Sequence, residues 1–288
     1  MSDLGTLGGN YSRGTDINDA GDVVGLSLVS PTNDSTRAFL WHNGSMSNLG
    51  TLPSPTGLDY RAYGINNAGQ VVGHAYTLGV YDYAFIWEDG QMRRFGALGI
   101  GYSIAYDINN SGAVVGEANL SDYSPYSRAF ICDNGVVTSL GALGGFYSAA
   151  NAVNDCAQVV GWACDPNNDV RAFIWSEGVM ADLGTLGGTS TANDINNLGQ
   201  VVGQAIIPGG AHHAFLWQDG RMTDLNDLLP AESGWVLTVA QGINDRGWIV
   251  GSGSYLGGVE EHGFLMIPEP ATLALLALGG AAMLRRRK

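Results

Sequence analysis

The amino-acid sequence predicts an all-β fold, a six-bladed β-propeller of four-stranded blades followed by a C-terminal apolar helix. Three observations lead there. One nine-residue phrase occurs six times at blade-length intervals, a second apolar phrase follows each copy, and glycine is abundant, at 43 of 288 residues. So much glycine implies many tight turns. With 45% hydrophobic residues, seven Trp, twelve Tyr and only 14% charged residues, the chain has ample material for a buried core and is expected to be folded.

The first phrase, Ile-Asn-Asn/Asp-x-Gly-x-Val-Val-Gly in form, starts at Ile17, Ile65, Ile108, Val153, Ile195 and Ile243. Its asparagines, Asn18, Asn66, Asn109, Asn154, Asn196 and Asn244, are 48, 43, 45, 42 and 48 residues apart. That is the length of a four-stranded propeller blade. The second phrase reads Ala-Phe or Gly-Phe inside an apolar run, as in Arg37-Ala-Phe-Leu-Trp41 and His262-Gly-Phe-Leu-Met266. Five of its copies lead into a turn ending in Gly, such as Asn43-Gly44, Asp89-Gly90 and Asp219-Gly220, which suits a hairpin. A third phrase, usually centred on Leu-Gly-Thr/Ala-Leu, follows at Met46–Leu52, Met92–Leu98, Val137–Leu143, Met180–Leu186 and Met222–Leu228.

Each blade is therefore assigned a strand into Ile-Asn, a strand through Val-Val-Gly, a strand at Ala-Phe and a strand into Leu-Gly. Near-continuous apolar runs fit strands buried on both faces, as blades stacked face to face require. The repeats divide the propeller (residues 1–267) at about 3–47, 48–93, 94–138, 139–181, 182–223 and 224–267. The sixth copy passes straight into Pro268, whereas Asp3-Leu4-Gly5-Thr6-Leu7 is a lone copy of the third phrase, so the N-terminus is expected to complete the last blade and remove its exposed edge.

The formal charge is −14, and without the terminal Arg285, Arg286, Arg287 and Lys288 the remainder would carry −18. Such a surface repels a phosphate backbone, so nucleic acid is not an expected partner. Of the three cysteines, Cys156 and Cys164 are read as too far apart along one turn and strand to pair, and Cys132, which replaces a Trp of other copies, is read as a small buried hydrophobe.

With its three phrases recurring in order, the chain resembles the HAF-type extracellular repeat proteins, whose name echoes His213-Ala214-Phe215. That resemblance implies a secreted bacterial protein and brings no established active site. The tail resembles a PEP-CTERM sorting signal: Pro268-Glu269-Pro270, an apolar run from Ala271 to Leu284, then Arg285-Arg286-Arg287-Lys288. The run of fourteen is short for a permanent span, which takes about 20 residues, and fits a transient anchor in the inner membrane with its basic end held in the cytoplasm. By resemblance, an exosortase-type membrane peptidase recognises residues 268–288 and removes them. The expected location is the surface or exterior of a Gram-negative bacterium, although Met1-Ser2-Asp3 runs directly into repeat sequence without the signal peptide that export requires.

Candidate chemistry is sparse. Asp16-Ile-Asn18-Asp19-Ala-Gly21-Asp22 resembles a calcium loop, but other copies, such as Gly64-Ile-Asn66-Asn67-Ala-Gly69-Gln70, lack the acids. The favoured reading is a hairpin turn in which Asn bonds nearby backbone, with calcium as the alternative and no other cofactor expected. Arg37, Tyr83, Arg128, Arg171, His213 and His262 precede each Ala-Phe or Gly-Phe and form a candidate recognition rim, weighed against ordinary local pairing at strand starts. Tyr and Asp at Asp59-Tyr60, Tyr81-Asp82-Tyr83 and Asp122-Tyr123-Ser124-Pro125-Tyr126 are read as loop residues with the chemistry of a polysaccharide site. No nucleophile elbow, zinc-protease motif, phosphate loop or paired metal ligand occurs. The expected function is a non-enzymatic scaffold of the cell surface or a biofilm's exopolysaccharide matrix. The alternative is a propeller polysaccharide hydrolase or lyase, which would bring two carboxylates, or a His and a carboxylate, together at the channel mouth.

Overall fold

The computed structural model describes residues 2–53, 57–77, 82–95, 101–119, 126–258 and 260–267. The predicted C-terminal helix and the sorting signal lie outside the described residues. Five four-stranded antiparallel sheets and a last sheet of three strands follow one another along the chain, each a simple meander. The first blade runs Ser12–Ile17, Val23–Ser30, Asn33–His42 and Ser45–Asn48, and the last runs Trp235–Ile243, Ile249–Tyr255 and Glu261–Met266. In every blade the first strand ends at the Ile or Val of Ile-Asn, the second carries Val-Val-Gly or its equivalent, and the third carries Ala-Phe or Gly-Phe. The fourth strand is shorter than the third phrase: in the first blade it covers Ser45–Asn48 and stops before Leu49-Gly50, where Gly50 takes a φ of +88°.

The turns between third and fourth strands follow from their residues. Asn43-Gly44 has φ values of +49° and +83°, and Asp219-Gly220 has +53° and +79°, the conformation that gives a two-residue hairpin the strands' own twist.

The core is divided among the blade junctions. Five clusters of buried apolar side chains each combine residues of two consecutive blades; Val202 and Ala214 of the fifth blade, for instance, pack on Leu237 and Ile249 of the sixth. Phe39, Phe85, Phe130, Phe173 and Phe215 are completely buried.

The expected closure by the N-terminus is not observed. The last blade has three strands, and the residues flanking the junction of blades six and one are open: Ile17 is 62% exposed where Ile65 and Ile195 are 5%, and Leu265 is 55% exposed where Leu216 is 3%. The N-terminal phrase is instead held by the first blade, through Leu7 N–H to Ser27 Oγ (2.9 Å), Gly9 N–H to the Leu28 carbonyl (3.0 Å) and Ser12 Oγ to the Gly5 carbonyl (2.7 Å). The reason is visible in the repeat. Asp3 corresponds to Asn48, so the phrase at the N-terminus supplies the stretch that follows an outer strand but few residues to form one.

A ladder of asparagines ties the other junctions. Asn18, Asn66, Asn109, Asn154 and Asn196 each donate from Nδ2 to the carbonyl of the corresponding asparagine in the next blade, at 2.9–3.3 Å. Asn154→Ala also removes the acceptor for Cys156 and Gln158 N–H, so it is expected to cost about 3 kcal/mol in urea unfolding, because the buried Asn196 carbonyl and the two turn N–H groups all lose their partner. Asn244→Ala, at the open junction, should cost less than half as much, since Asn244 is exposed and its partners can turn to water.

The central channel as candidate functional site

The six first strands line a channel that shows three successive zones. At one mouth, residues of all six Ile-Asn-Asn/Asp turns border a cavity of about 480 Å³. Each asparagine's Oδ1 closes its own turn, as Asn18 does with Ala20 N–H (3.1 Å) and Asp22 N–H (2.9 Å). The residue after it reaches across the junction: Asp19 N–H meets Asn67 Oδ1, Asn110 N–H meets Asp155 Oδ1 and Asn197 N–H meets Asp245 Oδ1, at 2.8–2.9 Å. In the segment that resembles a calcium loop, Asp22 Oδ1 is paired with His42, and its Oδ2 accepts from Asn18. Asn18 thus serves backbone, as the turn reading expects.

Behind this mouth the residue preceding Ile or Val alternates between carboxyl and small: Asp16, Gly64, Asp107, Ala152, Asp194, Gly242. Each aspartate bridges two blades. Asp107 accepts Ile108 N–H on Oδ1 (2.7 Å) and Val153 N–H of the next blade on Oδ2 (2.8 Å); Asp16 does the same with Ile17 and Ile65, and Asp194 with Ile195 and Ile243. The small partner makes room, since a Cβ on Gly64 would lie 3.0 Å from Asp107 Cα. Burial pushes Asp107 up to about 7, helped by the charges of Asp16 and Asp194 and opposed by its two N–H donors. Burial likewise raises Asp194 to about 6 and lifts Asp16 above the usual range. The alternation could have been found in the sequence, because it repeats every second blade.

At the far mouth, a cavity of about 440 Å³ is bordered by Arg13, Thr15, Arg61, Tyr63, Tyr106 and Gln241, among others. Thr15, Asn151 and Asn193 donate to the carbonyls of Ala62, Ala192 and Ala240 in the next blade (2.8–2.9 Å), another set of junction ties. Tyr63 and Tyr106 replace that residue in blades two and three. Sequence reasoning did not single out this group, because its residue types differ from one blade to the next.

The six rim positions all lie on third strands, and none borders the channel cavities. Each has neighbours close by. Arg37 donates to the Thr36 carbonyl (2.9 Å) and lies over Tyr60; Arg94 stacks 3.7 Å from the ring centre of Tyr83; Arg128 reaches the Gly145 carbonyl (3.2 Å). Arg171 pairs with Asp165 (3.3 Å), His213 with Asp224 (2.5 Å), and His262 meets the edge of Trp235. Asp59-Tyr60, expected in a loop, belongs instead to the strand Gly57–Ile65; Tyr60 is fully buried and accepts Leu52 N–H at its hydroxyl, so it offers nothing to a sugar. Tyr81 and residues 122–125 lie outside the described residues. Cys132 and Cys164 are buried and Cys156 exposed, all three unpaired. No helix among the described residues is long and apolar enough to cross a membrane.

Among solved structures, the chain is similar to TolB from Acinetobacter baumannii (16% identity, TM-score 0.53, 74% of this chain and 53% of that one). It is also similar to the β-propeller domain of the Trilobed protease from Pyrococcus furiosus (14%, TM-score 0.54, 78% and 71%). A puromycin-hydrolyzing peptidase of Mycobacterium tuberculosis gives 14% identity and a TM-score of 0.50 over 92% of this chain and 47% of that one. The chain spans about half the length of TolB, and at these identities the likeness shows the propeller fold alone. No curated protein matches the sequence. Residues 267–288 match the PEP-CTERM protein-sorting motif, so the tail predicted from Pro268-Glu269-Pro270 and its basic end is a sorting signal. Residues 76–264 match the family model described as "Protein of unknown function (DUF3466)", and since that match takes in more than half of the sequence, the family shown is this one rather than the HAF-type repeat: the chain belongs to the DUF3466 family.

Proposed function

We propose that the protein is exported, that an exosortase-type peptidase processes its tail, and that the propeller then serves at the cell surface or in the exopolysaccharide matrix as a binding or structural scaffold rather than an enzyme. The observation that carries this reading is the sorting motif at residues 267–288, which begins directly after the last propeller strand, Glu261–Met266. A cut beyond that strand separates anchor from fold without touching a blade. The non-enzymatic part is supported by Asp16, Asp107 and Asp194, each of which is occupied with two backbone N–H groups, one of them from the next blade.

The test is expression of the exported protein in hosts with and without the peptidase, followed by fractionation and intact mass. The expected result is tail loss and surface release only where the peptidase is present; an uncut cytoplasmic product in both hosts would refute the reading. Truncation after Ile267 should leave the thermal midpoint within about 2 °C, because the cut lies beyond the last propeller strand, which ends at Met266. The alternative of a polysaccharide hydrolase or lyase draws on the raised carboxyls of Asp107 and Asp194. Polysaccharide cleavage that is lost in Asp107→Asn while the fold is retained would favour it over the scaffold.

A further inference from the structure

Arg13, Arg61 and Tyr63 meet at the far mouth of the channel, and from them we infer a binding site for a glycan bearing an isolated carboxylate sugar, with Arg13 and Arg61 gripping the carboxylate beside the ring of Tyr63. This inference rests on the scaffold reading and gives it a ligand class.

Charge is the first argument. The propeller has nine arginines and no lysine, all other cations being in the last four residues. Two of the nine, Arg13 and Arg61, occupy equivalent places on the first strands of adjacent blades, and both border the same cavity. Both are exposed, and both act on Tyr63: burial raises its phenol and the charge of Asp82 adds to the rise, while the charge of Arg61, its hydrogen bond to the phenol and the charge of Arg13 oppose it. A paired guanidinium site in a strongly acidic protein is selective for one anionic group, because planar N–H forks match a carboxylate while the surrounding field repels a densely charged polymer.

The tyrosine is also held rigidly. Tyr63 stacks on His74 with ring centroids 5.4 Å apart and 19° between planes, and leans on Tyr106 at 5.6 Å. His74 is buried, which together with Arg61 lowers it to about 4 and keeps the imidazole neutral, so it adds no charge behind the tyrosine. Tyr106 is fixed in turn by its hydroxyl, which donates to Glu117 Oε1 at 2.9 Å; Tyr102 donates to the same oxygen and Ser127 to Oε2. Glu117 is thereby engaged by three hydroxyls. A held aromatic ring beside polar groups, among them Gln241, is a surface that suits a sugar.

The repeats themselves set this mouth apart. Where the six copies serve the fold they agree, as in the asparagine ladder and the buried phenylalanines. At this mouth they diverge: Arg13 and Arg61 correspond to Ile104, Ala149 and Thr191, and Tyr63 and Tyr106 to Asn151 and Asn193. The arginines and tyrosines are confined to blades one to three, giving the ring one chemically distinct side.

The experiment is a calorimetric or NMR titration of the full chain with a disaccharide of glucuronic acid and a neutral hexose, against the wholly neutral disaccharide of the same linkage, and against acetate and inorganic phosphate. The acidic disaccharide should bind at least about 10-fold more tightly than the neutral one, as expected for a charge-assisted bidentate contact. Arg61→Gln and Arg13→Gln, both at exposed positions, should each lose about 10-fold with an unchanged melting temperature. Equal binding of acidic and neutral sugars, or no effect of either substitution, would overturn the inference, as would acetate or phosphate competing as strongly as the sugar. The scaffold reading has its own failure, a cytoplasmic uncut product, which this titration does not touch.

Discussion

Gly161→Ala is expected to destabilise the propeller by more than about 3 kcal/mol, enough to leave little folded protein at 37 °C, whereas Gly178→Ala should cost only about 1 kcal/mol. The first strand of each blade carries a bulge ahead of Ile-Asn, seen in blade four as a register shift between Ala150 and Ala152. The bulge pushes a carbonyl toward the Val-Val-Gly glycine opposite, so that a Cβ on Gly161 would sit 2.1 Å from the Ala149 oxygen and 3.0 Å from Ala150 Cα. Both are backbone atoms and cannot turn away. A Cβ on Gly25, Gly73, Gly116, Gly203 or Gly251 would lie 2.0 Å from the equivalent carbonyl oxygen, which explains why the phrase ends in glycine in all six copies. At Gly178 the φ of +85° suits glycine, but nothing lies within 4 Å, and alanine pays only the conformational cost. Urea midpoints of the two variants give the comparison. Similar losses at both sites would mean that the first strand can flatten its bulge.

The same contrast shows what could be read from the sequence. Blade number, strand order and hairpins are legible because each rests on short-range requirements met again and again: a permissive turn pair such as Asn43-Gly44 and a buried Phe in five blades, and a bulge opposite glycine in all six. The asparagines were read as turn formers, and they are, but their Nδ2 bonds to the following blade involve partners 42 to 48 residues away and leave no local trace. Asp3–Leu7 predicts closure, but the phrase holds the residues after an outer strand rather than the strand, and the last blade keeps three strands. The rim residues attracted notice through their repeated position, which places them on third strands beside local partners. The far mouth is hidden for the opposite reason: Arg13 and Arg61, and Tyr63 and Tyr106, each recur in only two of the six copies, and only folding brings them to one cavity.

The three channel aspartates make stability depend on pH in a way that the asparagine ladder does not. Asp107 rises from the ordinary 3.8 to about 7 and Asp194 to about 6, so between roughly pH 4 and 7 the folded chain binds more protons here than the unfolded chain. Their protonated forms contribute stability that is fully present below the unfolded value and is lost as pH rises through the folded values. The propeller should therefore lose on the order of a few kcal/mol between pH 5 and pH 8. The overall charge of −14 works in the same direction, because repulsion among surface acids grows as pH rises from the isoelectric region near 4.5. Asp107→Asn separates the two effects. It removes one titrating group, keeps an oxygen for one of the two N–H donors, and forfeits the other acceptor at every pH alike. The melting temperature of the variant, measured relative to the parent, should thus rise from pH 5 to pH 8, even where the variant is the less stable protein at pH 5. Parallel melting curves across that range would show that Asp107 is already ionised at pH 5, its two N–H bonds outweighing burial, and that the slope of the parent belongs to its surface charge.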